Sequence, residues 1–579
     1  MKPVRLMSRF FCIVAMMMWL GQAAGQDVEQ VAKSDPWISN GSLTMSNIFS
    51  WPSDSLSKEQ AYSYYISGAL NTTFFGVVSV PMSFSYTNND YASTIAYPFN
   101  RFSLAPSYKW IKTYIGFSSM TFSQYTLSGR EFMGGGVELT PPDVPVVFSA
   151  FYGRFNKAVD FDSATMKPIY RRLGGGVLVG YNGERLSVKV NAIRVADDKE
   201  SLKFADSDTN YIAPQGNVAF GIEVSANPFE NTSVSAQYTM SIVDTDIASK
   251  DSSGTTMGIL DDEDDTYRYS AYKLSASHSF GIGSLGASLE RVSPNYMSFG
   301  SYYNTDDFQN VTLDFTVRIG KFANISGNVG FQHDNLDGQD VNTNSQTIYN
   351  CSLQLTPFER FVLSGSISNI QSYVYIKDII EKVTETNQYQ NLDTLSYTEL
   401  NFNANGNVSY SFGDQQVLPQ SVTVGYTYQR ASHEQDNCDK YIDTKLHNIN
   451  ASYQITHAES KTSLSLSGNF NRTQNTIVTD VLTYGATLSN SFVKNLNVSV
   501  GVTCSNVSSE KNYDIINARA TLSYSLLEHH SVSMNITSLN NNSQSRGTQY
   551  SANLTYSYNF SCGRKHVEEE GNKKWFADF

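Results

Sequence analysis

YSANLTYSYNF, residues 550–560, decides how this chain folds. Tyr550, Ala552, Leu554, Tyr556, Tyr558 and Phe560 alternate without a break with Ser551, Asn553, Thr555, Ser557 and Asn559. Successive side chains of an extended chain point to opposite faces, so this segment has one apolar and one polar face. Period two sustained over about ten residues is the signature of a strand that crosses a bilayer. The same alternation returns upstream. Val532, Met534 and Ile536 interleave with Ser533, Asn535 and Thr537, and Leu496, Val498, Val500 and Val502 with Asn497, Ser499, Gly501 and Thr503. Val311, Leu313, Phe315, Val317 and Ile319 interleave with Thr312, Asp314, Thr316 and Arg318.

Composition fits this pattern. Of 579 residues only 16% are charged, whereas 13% are aromatic. No apolar run reaches the roughly 20 residues that a membrane-spanning helix needs. A chain of alternating strands satisfies its backbone in a bilayer only by closing into a barrel. The fold expected is therefore all-β, a large antiparallel transmembrane β-barrel. The formal net charge of −13 gives no support for nucleic-acid binding.

From about residue 64 to 560 the chain reads as strand, short turn, strand, longer polar loop. Short turns include Asn182-Gly183-Glu184, Gly281-Ile282-Gly283, Gly320-Lys321 and Leu527-Glu528-His529-His530. Long segments fall between them, among them 119–131, 195–215, 243–266, 292–307 and 372–394. In such barrels short turns face the periplasm and long loops the outside, and the count comes to about 24 strands. An even number places both ends of the barrel in the periplasm. Phe229, Phe358 and Phe492 in turns, with Tyr181 and Phe560 at strand ends, suit an aromatic belt at the membrane interface. Asn-x-Ser/Thr triplets begin at Asn310, Asn324, Asn350, Asn407, Asn450, Asn497, Asn535 and Asn553. They sit inside strands, where residues i and i+2 share one face, and are read as a by-product of the alternation rather than as glycosylation sites.

Four segments follow from this reading. Residues 1–25 carry Lys2, Arg5 and Arg9, then the apolar core Phe10–Leu20, then Gly21-Gln22-Ala23-Ala24-Gly25, and read as a secretory signal peptide. Residues 26–60 read as a periplasmic N-terminal linker with a strand signal at Asn40–Trp51, and insertion into the lumen is one course open to it. Residues 61–560 are the barrel, and 561–579 a periplasmic tail. The expected location is the outer membrane, with membrane lipid and lipopolysaccharide as surroundings.

Candidate sites are sparse. Parity turns Lys189, Glu223, Asp314 and Arg318 toward the lumen, where charges tune ion selectivity. The rest of that face is Ser, Thr, Asn and Gln, a neutral hydrogen-bonding wall. Asp261-Asp262-Glu263-Asp264-Asp265 lacks the spacing of a calcium loop and reads as a solvated acidic loop. Glycine triplets at Gly134–Gly136 and Gly174–Gly176 either bend the wall or admit an internal segment against it, and the bend is the preferred reading. No histidine, serine or cysteine spacing picks out a catalytic or metal set, so neither an enzyme nor a cofactor is expected.

The stretches VPMSFSYTNND (80–90), FNRFSLAPSYKWIKTYIGFSSMTFSQYTLSGREFMGGGVEL (99–139) and FYGRFNKAV (151–159) are similar to outer-membrane β-barrel proteins of Bacteroidota. In the broad sense these are TonB-receptor-like barrels. The resemblance implies an outer-membrane location and supplies no functional residues. A plug domain of the TonB type needs well over roughly a hundred residues before the barrel, and none is evident. The expected function is a channel or transport component for polar solutes, its wide lumen filled by loops, by residues 26–60, or by a plugging or periplasmic protein partner. The alternative is a non-transporting scaffold or accessory barrel of an envelope secretion or surface-assembly complex.

Overall fold

A computed structural model describes residues 35–51, 61–88, 100–159, 168–202, 212–248, 265–301, 306–338, 345–369, 402–433, 442–491, 493–527, 529–542 and 548–564. The chain begins with β1 (Trp37–Trp51), β2 (Tyr62–Phe74), β3 (Val78–Thr87), β4 (Arg101–Leu104) and β5 (Ser107–Tyr108). Next come β6 (Ile111–Thr121), β7 (Ser128–Leu139), β8 (Val146–Asn156), β9 (Arg172–Asn182) and β10 (Leu186–Asp197). The middle of the wall is β11 (Gly216–Phe229), β12 (Thr232–Asp244), β13 (Thr266–Phe280), β14 (Gly283–Val292) and β15 (Phe308–Ile319). It continues through β16 (Ala323–His333), β17 (Ser345–Leu355), β18 (Phe361–Ser368), β19 (Phe402–Phe412), β20 (Gln420–His433) and β21 (Ile442–His457). The last strands are β22 (Thr462–Gln474), β23 (Val478–Asn490), β24 (Leu496–Ser508), β25 (Tyr513–Leu526), β26 (His530–Asn541) and β27 (Thr548–Arg564).

Each strand pairs antiparallel with its neighbours in sequence, and β27 pairs with β1, from Trp37↔Arg564 to Trp51↔Tyr550. The sheet therefore closes on itself. β4 and β5 share one position between β3 and β6, interrupted at Ala105-Pro106, where proline has no amide to donate. The result is a closed antiparallel barrel of 26 strands, close to the 24 expected. Turns at the end where β1 begins and β27 stops are short, such as Glu230-Asn231 and Gly281-Ile282, and the longer breaks between successive strands fall at the other end.

The expectation for residues 26–60 needs correction. Trp37–Trp51 is neither linker nor lumen insert but the wall strand that closes the barrel. Its alternation is broken at Ser39, Gly41 and Asn47, which is why it reads as weak. Gly41 is small because the Phe560 ring occupies the place of its side chain: a Cβ there would meet Phe560 Cζ at 2.5 Å. The barrel also runs past Phe560 to Arg564, so Cys562 belongs to a strand and not to the tail. The signal-peptide segment, Phe492 and Asp261–Asp264 lie outside the described residues.

One face of the wall is an apolar band, with Leu313, Phe331, Val500 and Leu554 exposed. The opposite parity carries Ser, Thr and Asn and lines the interior. The eight asparagines named above all fall on this inner parity. Phe229, Phe358 and Tyr181 are exposed near the short-turn end, and Phe560 stacks on Tyr558 at 5.4 Å.

Candidate functional site in the barrel interior

The interior is unlike on its two sides. Around β7–β12 the inner face is apolar: Phe132, Phe151, Phe155, Leu178, Ile193, Val195, Ala219 and Val243 are all buried. A wall that was apolar on both faces would expose one of them to water, so something must cover it. The cover is a pair of connections that turn back into the barrel. Residues 122–127, between β6 and β7, contribute Phe122 and Leu127, and residues 293–301, which follow β14, contribute Phe299. Each such side chain gains about 1.5–3 kcal/mol on leaving water, which offsets the entropy of ordering the loops. The expectation placed 119–131 and 292–307 outside the barrel. Residues 122–127 and 293–301 start from that end but dock inside, because their apolar residues match the inner seat.

The glycine triplets are part of this seat. A Cβ on Gly174 would meet Val195 Cγ2 at 2.7 Å and Phe155 Cε2 at 2.8 Å, and one on Gly176 would meet Ile193 Cγ2 at 2.7 Å. A Cβ on Gly136 would meet Met120 Sδ at 2.9 Å. The glycines make room for inward aromatic and branched residues beneath the docked loops. The preferred reading of a bend gives way to the reading of an internal segment against the wall.

Hydrogen bonds lock the two loops together and to the wall. Ser298 Oγ donates to the Thr126 carbonyl at 2.7 Å, and the Tyr296 hydroxyl to the Tyr125 carbonyl at 2.6 Å. The Tyr125 and Tyr296 rings meet edge to face at 6.2 Å. Asn217 Oδ1 on β11 accepts from the Phe299 amide at 3.0 Å, and Ser241 Oγ on β12 donates to the Met297 carbonyl at 2.5 Å. Arg130 donates to the Phe299 carbonyl at 2.7 Å, while the Arg172 guanidinium lies 3.8 Å over the Phe299 ring. Glu290 on β14 receives the Tyr125 hydroxyl at 2.5 Å and Gln124 at 3.3 Å, and pairs with Lys273 at 3.0 Å. Burial pushes the Tyr125 hydroxyl well above the ordinary phenol range, and the Glu290 carboxylate adds to this. Burial alone raises Tyr296. Both phenols are therefore held neutral as donors.

The side formed by β16–β27, β1, β2 and β3 is different. Apart from Arg519, its inward residues are mostly small and neutral and bond to one another across strands. Thr423 donates to Ser409 at 3.2 Å, Ser463 pairs with Ser489 at 2.6 Å, Thr483 with Ser505 at 2.8 Å, and Ser46 with Thr555 at 3.0 Å. One apolar group, Val507, Ile515 and Leu539, faces inward near the long-loop end.

The four sequence-predicted charges all fall on the inner parity. Lys189 and Glu223 are brought together as a cross-strand pair, Nζ to Oε1 3.8 Å. Asp314 and Arg318 are exposed on β15 and form no ion pair with each other. Sequence reasoning missed Glu290, Lys273, Asn217, Arg130 and Arg172, which hold the loops. It also missed Arg519, midway along β25, which lies between Gly501 and Thr537 and donates from Nε to Asn535 Oδ1 at 3.1 Å. Parity along Ile515–Leu522 would have found Arg519. Among the described residues no three His, Cys, Asp or Glu side chains converge as metal ligands.

No protein-family model matches the chain, and no curated protein matches it. Solved structures of outer-membrane proteins align with the chain at very low identity. The P pilus usher (PapC) translocation pore aligns at 10% identity and TM-score 0.39, over 90% of this chain and 99% of that one. The ferric enterobactin receptor (PfeA) of Pseudomonas aeruginosa aligns at 10% and 0.34, over 90% and 80%. Acinetobacter baumannii OccAB4 aligns at 8% and 0.31, over 92% and 99%.

Proposed function

We propose that this chain is an outer-membrane barrel that passes polar solutes along the neutral side of a half-filled lumen. The observation that carries the reading is the unequal interior. One side is sealed by docked loops, and the other presents Ser, Thr and Asn hydroxyls and amides along the whole wall. The apolar outer band belongs against lipid, with lipopolysaccharide at the long-loop end. A barrel of 26 strands exceeds the 22-stranded class, whose lumen is plugged. The loop segments 122–127 and 293–301 reduce the opening from within, which supports a selective path rather than an open hole.

Purified protein reconstituted in planar bilayers tests this. Discrete conductance steps are expected, together with heat-modifiable migration of the folded barrel. A folded, heat-modifiable barrel that stays silent, even with residues 293–307 replaced by a short turn, would overturn the channel reading.

A further inference from the structure

Three ion pairs stand on the inner parity of the filled side, while Asp314 and Arg318 on β15 form none with each other. Lys189 meets Glu223, Lys273 meets Glu290, and Arg172 binds Asp197 through two hydrogen bonds at 2.7 and 2.9 Å. On the neutral side the inward parity of the described strands β16–β27 holds Ser, Thr, Asn, Gln, Gly and a few apolar residues, with Arg519 as its one formal charge. Its sole hydrogen bond among the described residues is Nε to Asn535 Oδ1, and no carboxylate there pairs with it. Both cross-strand neighbours are small. Gly501 has no side chain, and Thr537 turns its hydroxyl to Ser551. The terminal nitrogens are thus left uncovered midway along the wall, and the guanidinium is anchored from one edge by an amide.

We propose that Arg519 is an oxyanion-binding point on the conducting side of the lumen, which makes the path select small carboxylate-, phosphate- or sulfate-bearing solutes. This rests on the channel reading above. A planar guanidinium presents paired donors that match two oxygens of such a group. The Asn535 bond uses Nε and fixes the plane, so the Nη edge faces the lumen. The surrounding hydroxyls offer a passing anion further donors without competing charge.

The test is reversal potential in a potassium chloride gradient, with inorganic phosphate as the oxyanion probe. Wild-type barrel is expected to favour chloride over potassium, and millimolar phosphate is expected to reduce its chloride current. Arg519→Gln should lower the anion preference about twofold and Arg519→Glu about fivefold, as one charge a few ångströms from the path implies. Arg519→Gln should also abolish the phosphate effect. Arg519→Lys should keep the preference and weaken the phosphate effect, because an ammonium lacks the paired donors. Heat-modifiable migration selects the variants that have folded, and Gln suits a wall already built of amides. Conductance with a reversal potential unmoved by both Gln and Glu overturns this inference and leaves the channel reading standing. Absence of conductance in the wild type overturns both.

Discussion

A single residue shows how parity governs this molecule. Leu554 and Val500 are exposed on the apolar face, while Thr555 and Ser499, one position away, face the interior. Leu554→Arg or Val500→Arg should cost roughly 2–4 kcal/mol if the position lies near the bilayer midplane. Thr555→Arg and Ser499→Arg should be far milder, since a polar lumen hydrates the guanidinium. Heat-modifiable migration after expression checks this. Equal tolerance at the two parities, or a cost that does not fade toward Phe560, would contradict the placement of β27 across the membrane. At this scale the sequence was highly legible, because period two leaves a mark at every position of an ordinary strand. It was less legible where both parities are apolar. Ala150, Phe151 and Tyr152 follow one another in β8, and Val177, Leu178 and Val179 in β9. Such runs announce a covered inner face, but only once the cover is known to exist does the glycine beside them make sense.

At the scale of the element, the two docked loops behave as one unit, since each completes the other's hydrogen bonds. Their polar appearance in sequence hid them: TFSQYTLSG has the composition of any surface connection, and its Leu127 and Phe122 look incidental until the inner seat is seen. Tyr125→Phe removes a donor to an ionised carboxylate, a loss of about 1.5–3 kcal/mol for a charge-assisted bond. Looser docking should appear as larger and noisier single-channel current, with the barrel itself intact. The loops should also respond to alkali. A phenol whose pKa is raised on docking favours the docked form equally at every pH below its ordinary value of 10.0. Above that value the undocked phenol ionises and the docked one does not, so docking weakens by about 1.4 kcal/mol per pH unit for each tyrosine. Conductance should therefore hold level from neutral pH to about pH 10 and step up beyond it. In Tyr125→Phe/Tyr296→Phe the alkaline step should vanish, and its persistence would assign the step to another group.

For the whole molecule, closure depends on a strand that sequence alone nearly passed over. Trp37–Trp51 pairs along its full length with β27 on one side and along most of it with β2 on the other. Deleting it should leave a 25-position sheet with two bare edges. The expected outcome is loss of heat-modifiable migration and of protease resistance. A linker or lumen insert in the same place would have left the wall intact and changed conductance alone. The closing seam joins residues whose separation in the chain is nearly its whole length: Thr44 meets Ser557, 513 positions later. The seam can form only after every strand between them is in place. Until then β1 has only one partner, and its other edge is a row of unpaired amides and carbonyls open to any passing strand. The first strand must wait for the last. Time, rather than affinity, is thus the hazard built into this fold: a chain clipped anywhere before β27 keeps its open edge for good, and slower assembly of the wall should raise the aggregated fraction even when every residue is correct.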